Sequence, residues 1–321
     1  MVVLSGAVNT KRFGELEIGI HWLQGVCQFH SESKLINFAK SLDETFQWRD
    51  ISTRMGKVYD RSGVSFRGVR VGYSVKDLVE GFFLIPGSYL DELTLEIQSN
   101  LLHSLLLDEQ LKLTRIDIAF NDYTKRLTPN KLHSWAISGY MRGFRRHSSP
   151  FEDFQFTLGN NISLGITKTF GRRSSKKFLR VYEALPIHCK DAIRWELELR
   201  DDRARAMAMF LHQEGLNEIP KYICGAIDFV DSSRKRSDRC GRLKQWDRFV
   251  DYCGGCEKFS IPHQSTSFDK KVEWLFRQCS KNLAIAREVL GDGVIQEMIE
   301  FGKYKFDVLD EDLIKYSKQH F

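Results

Sequence analysis

A chain of 321 residues, 42% of them hydrophobic and 12% aromatic, can bury a core of one large domain or two, which excludes a disordered chain. The formal net charge of +6 is modest but clustered, and no apolar run nears the ~20 residues that cross a bilayer, so a cytoplasmic protein with a polyanionic partner is expected. Seven cysteines at irregular spacings fit reduced thiols better than a disulfide framework.

In chain order, Ile18 to Phe29 reads as a first strand, and Ser31 caps an amphipathic helix over Leu35 to Leu42. Gly56 to Gly72 holds two short strands around a turn at Arg61-Ser-Gly. Phe82 to Ile85 is a further strand, and Pro86-Gly leads into a leucine-rich helix from about Leu90 to Leu107. Pro129, with Thr128 as cap, opens a helix to about Gly139. Strand-like pieces follow at Gly143 to Arg146, Phe154 to Leu158 and Ile162 to Lys168, and a helix runs from Asp201 to His212. Beyond Gly215 the pattern is helical, at Tyr222 to Phe229, Leu243 to Tyr252, Phe268 to Gln278, Leu283 to Leu290 and Val294 to Lys303. The expected fold class is α+β: a mainly antiparallel sheet covered by helices over residues 1–215, then a smaller, mostly helical part over 216–321.

Three segments carry the chemistry. In residues 113–122, Ile116, Ile118 and Phe120 alternate with Arg115, Asp117, Ala119 and Asn121. In 193–200, Ile193, Trp195, Leu197 and Leu199 alternate with Arg194, Glu196, Glu198 and Arg200, and in 178–182 Leu179 and Val181 alternate with Phe178, Arg180 and Tyr182. If these strands share a sheet, one face offers carboxylates for a hard cation, arginines for an anion, and a phenol between them. The bland alternatives are cross-strand ion pairs for Glu196 and Glu198 and a packing role for Tyr182. As a nucleophile, Tyr182 would have to lose a proton held with a pKa near ~10, which arginine and a divalent cation would ease.

The basic clusters at Arg172, Arg173, Lys176, Lys177 and Arg180, and at Arg234, Lys235 and Arg236 onward to Arg248, point to a polyanion. Cys240, Cys253, Cys256 and His263 offer four zinc-type ligands at spacings that match no common finger. There is no His-x-His pair and no phosphate loop.

Arg115-Ile-Asp-Ile-Ala-Phe-Asn-Asp, then Gly171 through Arg180-Val-Tyr-Glu, then Arg194-Trp-Glu-Leu-Glu-Leu-Arg resemble the core motifs of the replication initiation factor family, the Rep_trans-type initiators of rolling-circle plasmids and filamentous phages. The resemblance covers roughly residues 18 to 215. It implies a DNA nicking-closing enzyme in which Tyr182 attacks the origin strand, stays linked to the 5′ phosphate and frees a 3′ hydroxyl, with Arg180 and Arg115 assisting. It further implies a divalent cation, Mg²⁺ or Mn²⁺, at Asp117, Glu196 and Glu198; with origin DNA as the polyanion, Arg194 and the basic residues Arg172, Arg173, Lys176, Lys177, Arg234, Lys235 and Arg236 are the expected contacts. Host helicase, polymerase and a second copy of the chain are the further partners expected. The chain departs from the pattern at Ala184, where a lysine is common. The alternatives are a non-catalytic origin- or operator-binding protein and a conjugative relaxase.

Overall fold

A computed structural model describes residues 12–13, 15–29, 31–49, 53–55, 57–74, 77–145, 151–157, 160–184, 191–231, 240–258, 272, 275–305 and 314. The chain divides into two compact units, Met1–Phe259 and Ser260–Phe321. The strands of the first unit are β1 (Arg12–Phe13), β2 (Leu16–Cys27), β3 (Gln47–Arg49), β4 (Thr53–Met55), β5 (Lys57–Tyr59), β6 (Arg61–Val64), β7 (Arg70–Ser74), β8 (Asp77–Ile85), β9 (Leu111–Asp122), β10 (Met141–Arg142), β11 (Phe151–Thr157), β12 (Asn160–Phe170), β13 (Lys177–Ala184), β14 (Ala192–Arg200) and β15 (Asp228–Phe229). Its helices are α1 (Glu32–Leu42), α2 (Gly87–Leu90), α3 (Leu95–Leu107), α4 (Pro129–Ile137), α5 (Asp202–Glu214), α6 (Ile219–Ala226) and α7 (Lys244–Tyr252).

An 11-stranded antiparallel sheet runs in the order β11-β12-β13-β14-β9-β2-β8-β7-β6-β3, with β1 also paired to β2. The fold is α+β, as the alternation of the strands implies. Residues 192–199 of β14, an interior strand between β13 and β9, are all buried although Arg194, Glu196 and Glu198 are charged. One face of β14 packs Ile193, Trp195, Leu197 and Leu199 against Ile116, Ile118 and Phe120 of β9. Helices α3, α5 and α6 lie on that side. Trp195 stacks on Phe120 and on Phe249 of α7, with ring centroids 5.7 and 5.1 Å apart. Those aromatic contacts draw α6 and α7 into the core, so the boundary expected at residue 215 falls inside the first unit.

The capping residues act locally as their chemistry dictates: Ser31 accepts from Lys34 N at 3.4 Å and Thr128 from Lys131 N at 3.3 Å. The turn expected at Arg61-Ser-Gly is displaced. Arg61–Val64 is a strand, and the turn falls at Ser65–Gly68, where Gly68 takes φ +88°. Gly63 instead serves packing, since a Cβ there would meet the Phe46 ring at 2.2 Å. The expected helix over Tyr222 to Phe229 ends at Ala226, and Asp228–Phe229 pairs with Met141–Arg142.

One edge of β2 would be open at Ile20. Gln98 of α3, fully buried, closes it by accepting from Ile20 N at 2.8 Å and donating to Leu90 O at 2.8 Å. The second unit contains the helices Ser280–Leu290 and Asp292–Lys303. Most of its expected helix over 268–278 lies outside the described residues, and no described helix is long and apolar enough to cross a membrane.

Candidate active site

The pairing register assembles the polar face. Across β14, Arg194, Glu196 and Glu198 lie beside Asn121, Ala119 and Asp117 of β9 on one side. On the other side they lie beside Tyr182, Arg180 and Phe178 of β13. Strand parity therefore brings Arg115, Asp117, Arg180, Tyr182, Arg194, Glu196 and Glu198 to one surface. Asp117, Glu196 and Glu198 are 1, 3 and 0% exposed. Three carboxylates so buried must be paired.

Three arginines pair them, and a fourth, Arg194, stands 4.0 Å from Glu196 Oε2. Arg115 grips Asp117 with two bonds, Nε to Oδ1 at 2.8 Å and an Nη to Oδ2 at 2.6 Å, and also stands 3.0 Å from Glu198 Oε2. Arg180 donates to Glu196 Oε1, lies 3.2 Å from Asp117 Oδ2 and 3.8 Å from Glu198 Oε2. Arg200 donates to Glu198 Oε1 at 2.6 Å, and Arg194 to Asn121 Oδ1 at 3.1 Å. The Tyr182 hydroxyl donates to Glu196 Oε2 at 3.1 Å. Arg115 also lies over the Trp22 ring, 4.9 Å from its centroid.

These partners set the protonation states. Burial pushes the Asp117 carboxyl up to about 6 against the pull of Arg115, and Glu196 and Glu198 add repulsion. Burial also works to raise Glu196, but Arg180, His21, Arg194 and the Tyr182 hydroxyl overrule it and hold Glu196 below its ordinary value. Burial drives the Tyr182 phenol well above its usual value; Arg194 and Arg180 oppose the shift and Glu196 adds to it. The resting pair is thus a protonated phenol and an ionised carboxylate.

The three carboxylates as arranged do not fit a hexacoordinate Mg²⁺ or Mn²⁺. Both oxygens of Asp117, both of Glu196 and Oε1 of Glu198 already accept from arginine or tyrosine, and the remaining oxygen, Glu198 Oε2, is buried between Arg115 and Arg180. A hard cation would reach them only by displacing an arginine. Among the described residues no three His, Cys, Asp or Glu side chains converge on a metal position.

Arg172 and Arg173 are exposed in the turn between β12 and β13. Lys176, also exposed, reaches Asp202 at 2.9 Å. Lys177 is turned inward: its Nζ donates to Gly143 O at 2.9 Å and Ala226 O at 3.0 Å and sits 4.2 Å from the Phe144 ring centroid. Burial, with Arg203 adding repulsion, lowers it to about 8. Arg194, expected on DNA, is buried inside the cluster. Arg234, Lys235, Arg236 and His263 lie outside the described residues. Cys253 is buried beside Cys224, and Cys256 accepts from Arg242.

His21 and Asp91 escaped the sequence reading. His21 continues the polar row of Glu17 and Gly19 in β2, and its Nδ1 lies 3.4 Å from Asp91; the register shift between Ile20 and Trp22 brings Trp22 onto the same face. Its ring needs the bare backbone of Gly87, because a Cβ there would come within 2.1 Å of it. The only signal in the sequence is Pro86-Gly87, which also announces an ordinary helix start.

The profile of the replication initiation factor family matches residues 111–299. The structure is similar to that of a rolling circle replication initiator protein from Geobacillus stearothermophilus, with a TM-score of 0.60 and 20% sequence identity over 74% of this chain and 96% of that one. At that identity the likeness concerns the fold. No curated protein matches the chain.

Proposed function

Since the chain belongs to the replication initiation factor family, we propose that it nicks and rejoins one strand of origin DNA, with Tyr182 as nucleophile and Glu196 as the acceptor of its proton. The observation that carries this reading is the 3.1 Å hydrogen bond from the Tyr182 hydroxyl to Glu196, an ionised carboxylate beside a buried phenol. As Oη approaches the scissile phosphorus, its proton passes to Glu196. The Oη–P bond forms, the bond from phosphorus to the 3′ oxygen breaks, and that oxygen leaves with the bonding pair and takes a proton from water to become a 3′ hydroxyl, while Glu196 keeps the proton of Tyr182. The new phosphodiester conserves the energy of the old one, so rejoining needs no nucleotide cofactor.

Charge that builds on the phosphoryl oxygens needs preorganised cations. Arg180 and Arg115 stand on the same face as Tyr182, partly buried and held by carboxylates. Exchange of a carboxylate oxygen for a phosphate oxygen keeps each guanidinium bonded throughout. Arg172 and Arg173, exposed at the start of the hairpin arm that carries Tyr182, are suited to hold the flanking phosphates. A polymerase or helicase would then use the freed 3′ end.

Replacing Glu196 by Gln leaves the side-chain shape and removes the proton acceptor. Nicking should fall by about 10²–10⁴-fold, while binding to a single-stranded oligonucleotide stays within about twofold. Nicking by Glu196→Gln at the parent rate would remove Glu196 from this role. Binding by the parent with no nicking on any substrate would favour a protein that only binds its origin.

A further inference from the structure

Helices α3 and α5 pack side by side on the apolar side of the sheet, and α5 lies directly against β9 and β14. Each presents a histidine to the other. Nδ1 of His103 and Nε2 of His212 are 3.1 Å apart, and the rings are tilted by 35° with centroids 4.5 Å apart. His103 is half-buried and His212 exposed. Neither takes part in the nicking chemistry.

Two arrangements place imidazole nitrogens this close. One is a single N–H···N bond between the rings. The other is a shared metal ion: with bonds of about 2.0–2.1 Å, a right or tetrahedral angle at the ion sets two nitrogens roughly 2.9–3.4 Å apart. The centroids are closer than two rings aligned end to end at this nitrogen separation would be. The two nitrogens therefore do not face each other head-on, and the exposed His212 ring leaves the pair accessible from solvent.

We propose that His103 and His212 form a two-histidine site for a late first-row transition ion, Zn²⁺, Ni²⁺ or Cu²⁺, whose remaining positions are filled by water. Imidazole selects these ions over Mg²⁺ or Mn²⁺, which prefer oxygen. An ion bound there joins α3 to α5. Because α5 begins two residues after Arg200 of β14, the joint braces the strand that carries Glu196 and Glu198 from behind.

The test compares the metal-stripped full-length parent with the His103→Gln, His212→Gln double variant, titrating NiCl₂, with MgCl₂ as control. The parent should bind one more equivalent of Ni²⁺ than the double variant, and its Tm should rise on the order of 2–4 °C, with neither effect from MgCl₂. Counting equivalents separates this site from binding at Cys224, Cys253 and Cys256, which both proteins keep. If the double variant does not fold, His212→Gln alone, at an exposed position, should weaken Ni²⁺ binding at least about tenfold. Equal stoichiometry and equal Tm shifts in parent and variants, or no Ni²⁺ binding by the parent, would overturn the proposal and leave the pair as an imidazole–imidazole hydrogen bond.

Discussion

At the scale of the residue, the polar face works by crowding. Three buried carboxylates and four arginines, most of them only partly exposed, crowd one face, so each ionisation depends on its neighbours. Asp117 reports this most directly. Its folded carboxyl titrates near 6 against an ordinary 3.8, so between those values the folded chain holds a proton that the unfolded chain has released. The contribution of Asp117 to stability is complete below the ordinary value and is lost as pH rises through about 6. Asp117→Asn cannot titrate and keeps the other groups. Measured by denaturant unfolding from about pH 4 to about pH 6.5, the free energy of unfolding of the parent should fall relative to that of the variant. Parallel curves would mean that Asp117 is no more strained than an exposed aspartate. Strand parity alone put Tyr182, Glu196 and Asp117 on one face of the sequence. It could not tell that the arginines would saturate the carboxylates, because side-chain pairing depends on which strands are neighbours. Nor could it single out His21, which shares the polar row of Glu17 and Gly19 but whose partner Asp91 lies 70 residues along the chain.

At the scale of the element, the difference between Lys177 and its basic neighbours separates a structural cation from a DNA-facing one. Lys177 joins β13 to the backbone at Gly143 and Ala226, whereas Arg172 and Arg173 project from the preceding turn. Lys177→Ala orphans two carbonyls and should destabilise the fold by about 1–3 kcal/mol while leaving the salt dependence of DNA binding unchanged. The Arg172→Ala, Arg173→Ala pair should do the reverse, leaving stability within about 0.5 kcal/mol and flattening the slope of log affinity against log salt by up to about 2. Fluorescence titrations at several salt concentrations, beside urea melts, decide the matter. A flattened slope for Lys177→Ala would place that amine on the DNA after all. The sequence gathered all these cations into one basic cluster because composition ignores direction. The strands β9, β13 and β14 were legible because apolar residues alternate with mostly polar ones, and β2 because it is rich in strand-forming residues. The turn at Ser65–Gly68 was not, because Gly63 imitates a turn glycine while answering to the Phe46 ring.

At the scale of the molecule, the core does not stop where the sheet does. Tyr222, Ile223, Trp246 and Phe249 are buried in the same cluster as Trp195, so the first unit needs the chain as far as Phe259. A chain ending at Phe259 should unfold in one cooperative transition, and one ending at Gly215 should expose its sheet, bind hydrophobic dye and aggregate. Cooperative unfolding of the shorter chain would place the boundary where the change of composition suggested. The change of composition at Gly215 coincides with the end of α5, and whether the residues beyond it pack on their own or on a sheet earlier in the chain is not legible in the sequence, because an aromatic helix reads alike in both cases. The central claim concerns the whole assembly, a chain that becomes covalently joined to DNA through Tyr182. Parent and Tyr182→Phe proteins, incubated with labelled single-stranded oligonucleotides tiled across the DNA that flanks the coding sequence, should bind equally. After denaturation the parent should give a slow-migrating protein–DNA adduct and the variant none, and an adduct of undiminished yield from Tyr182→Phe would contradict the account.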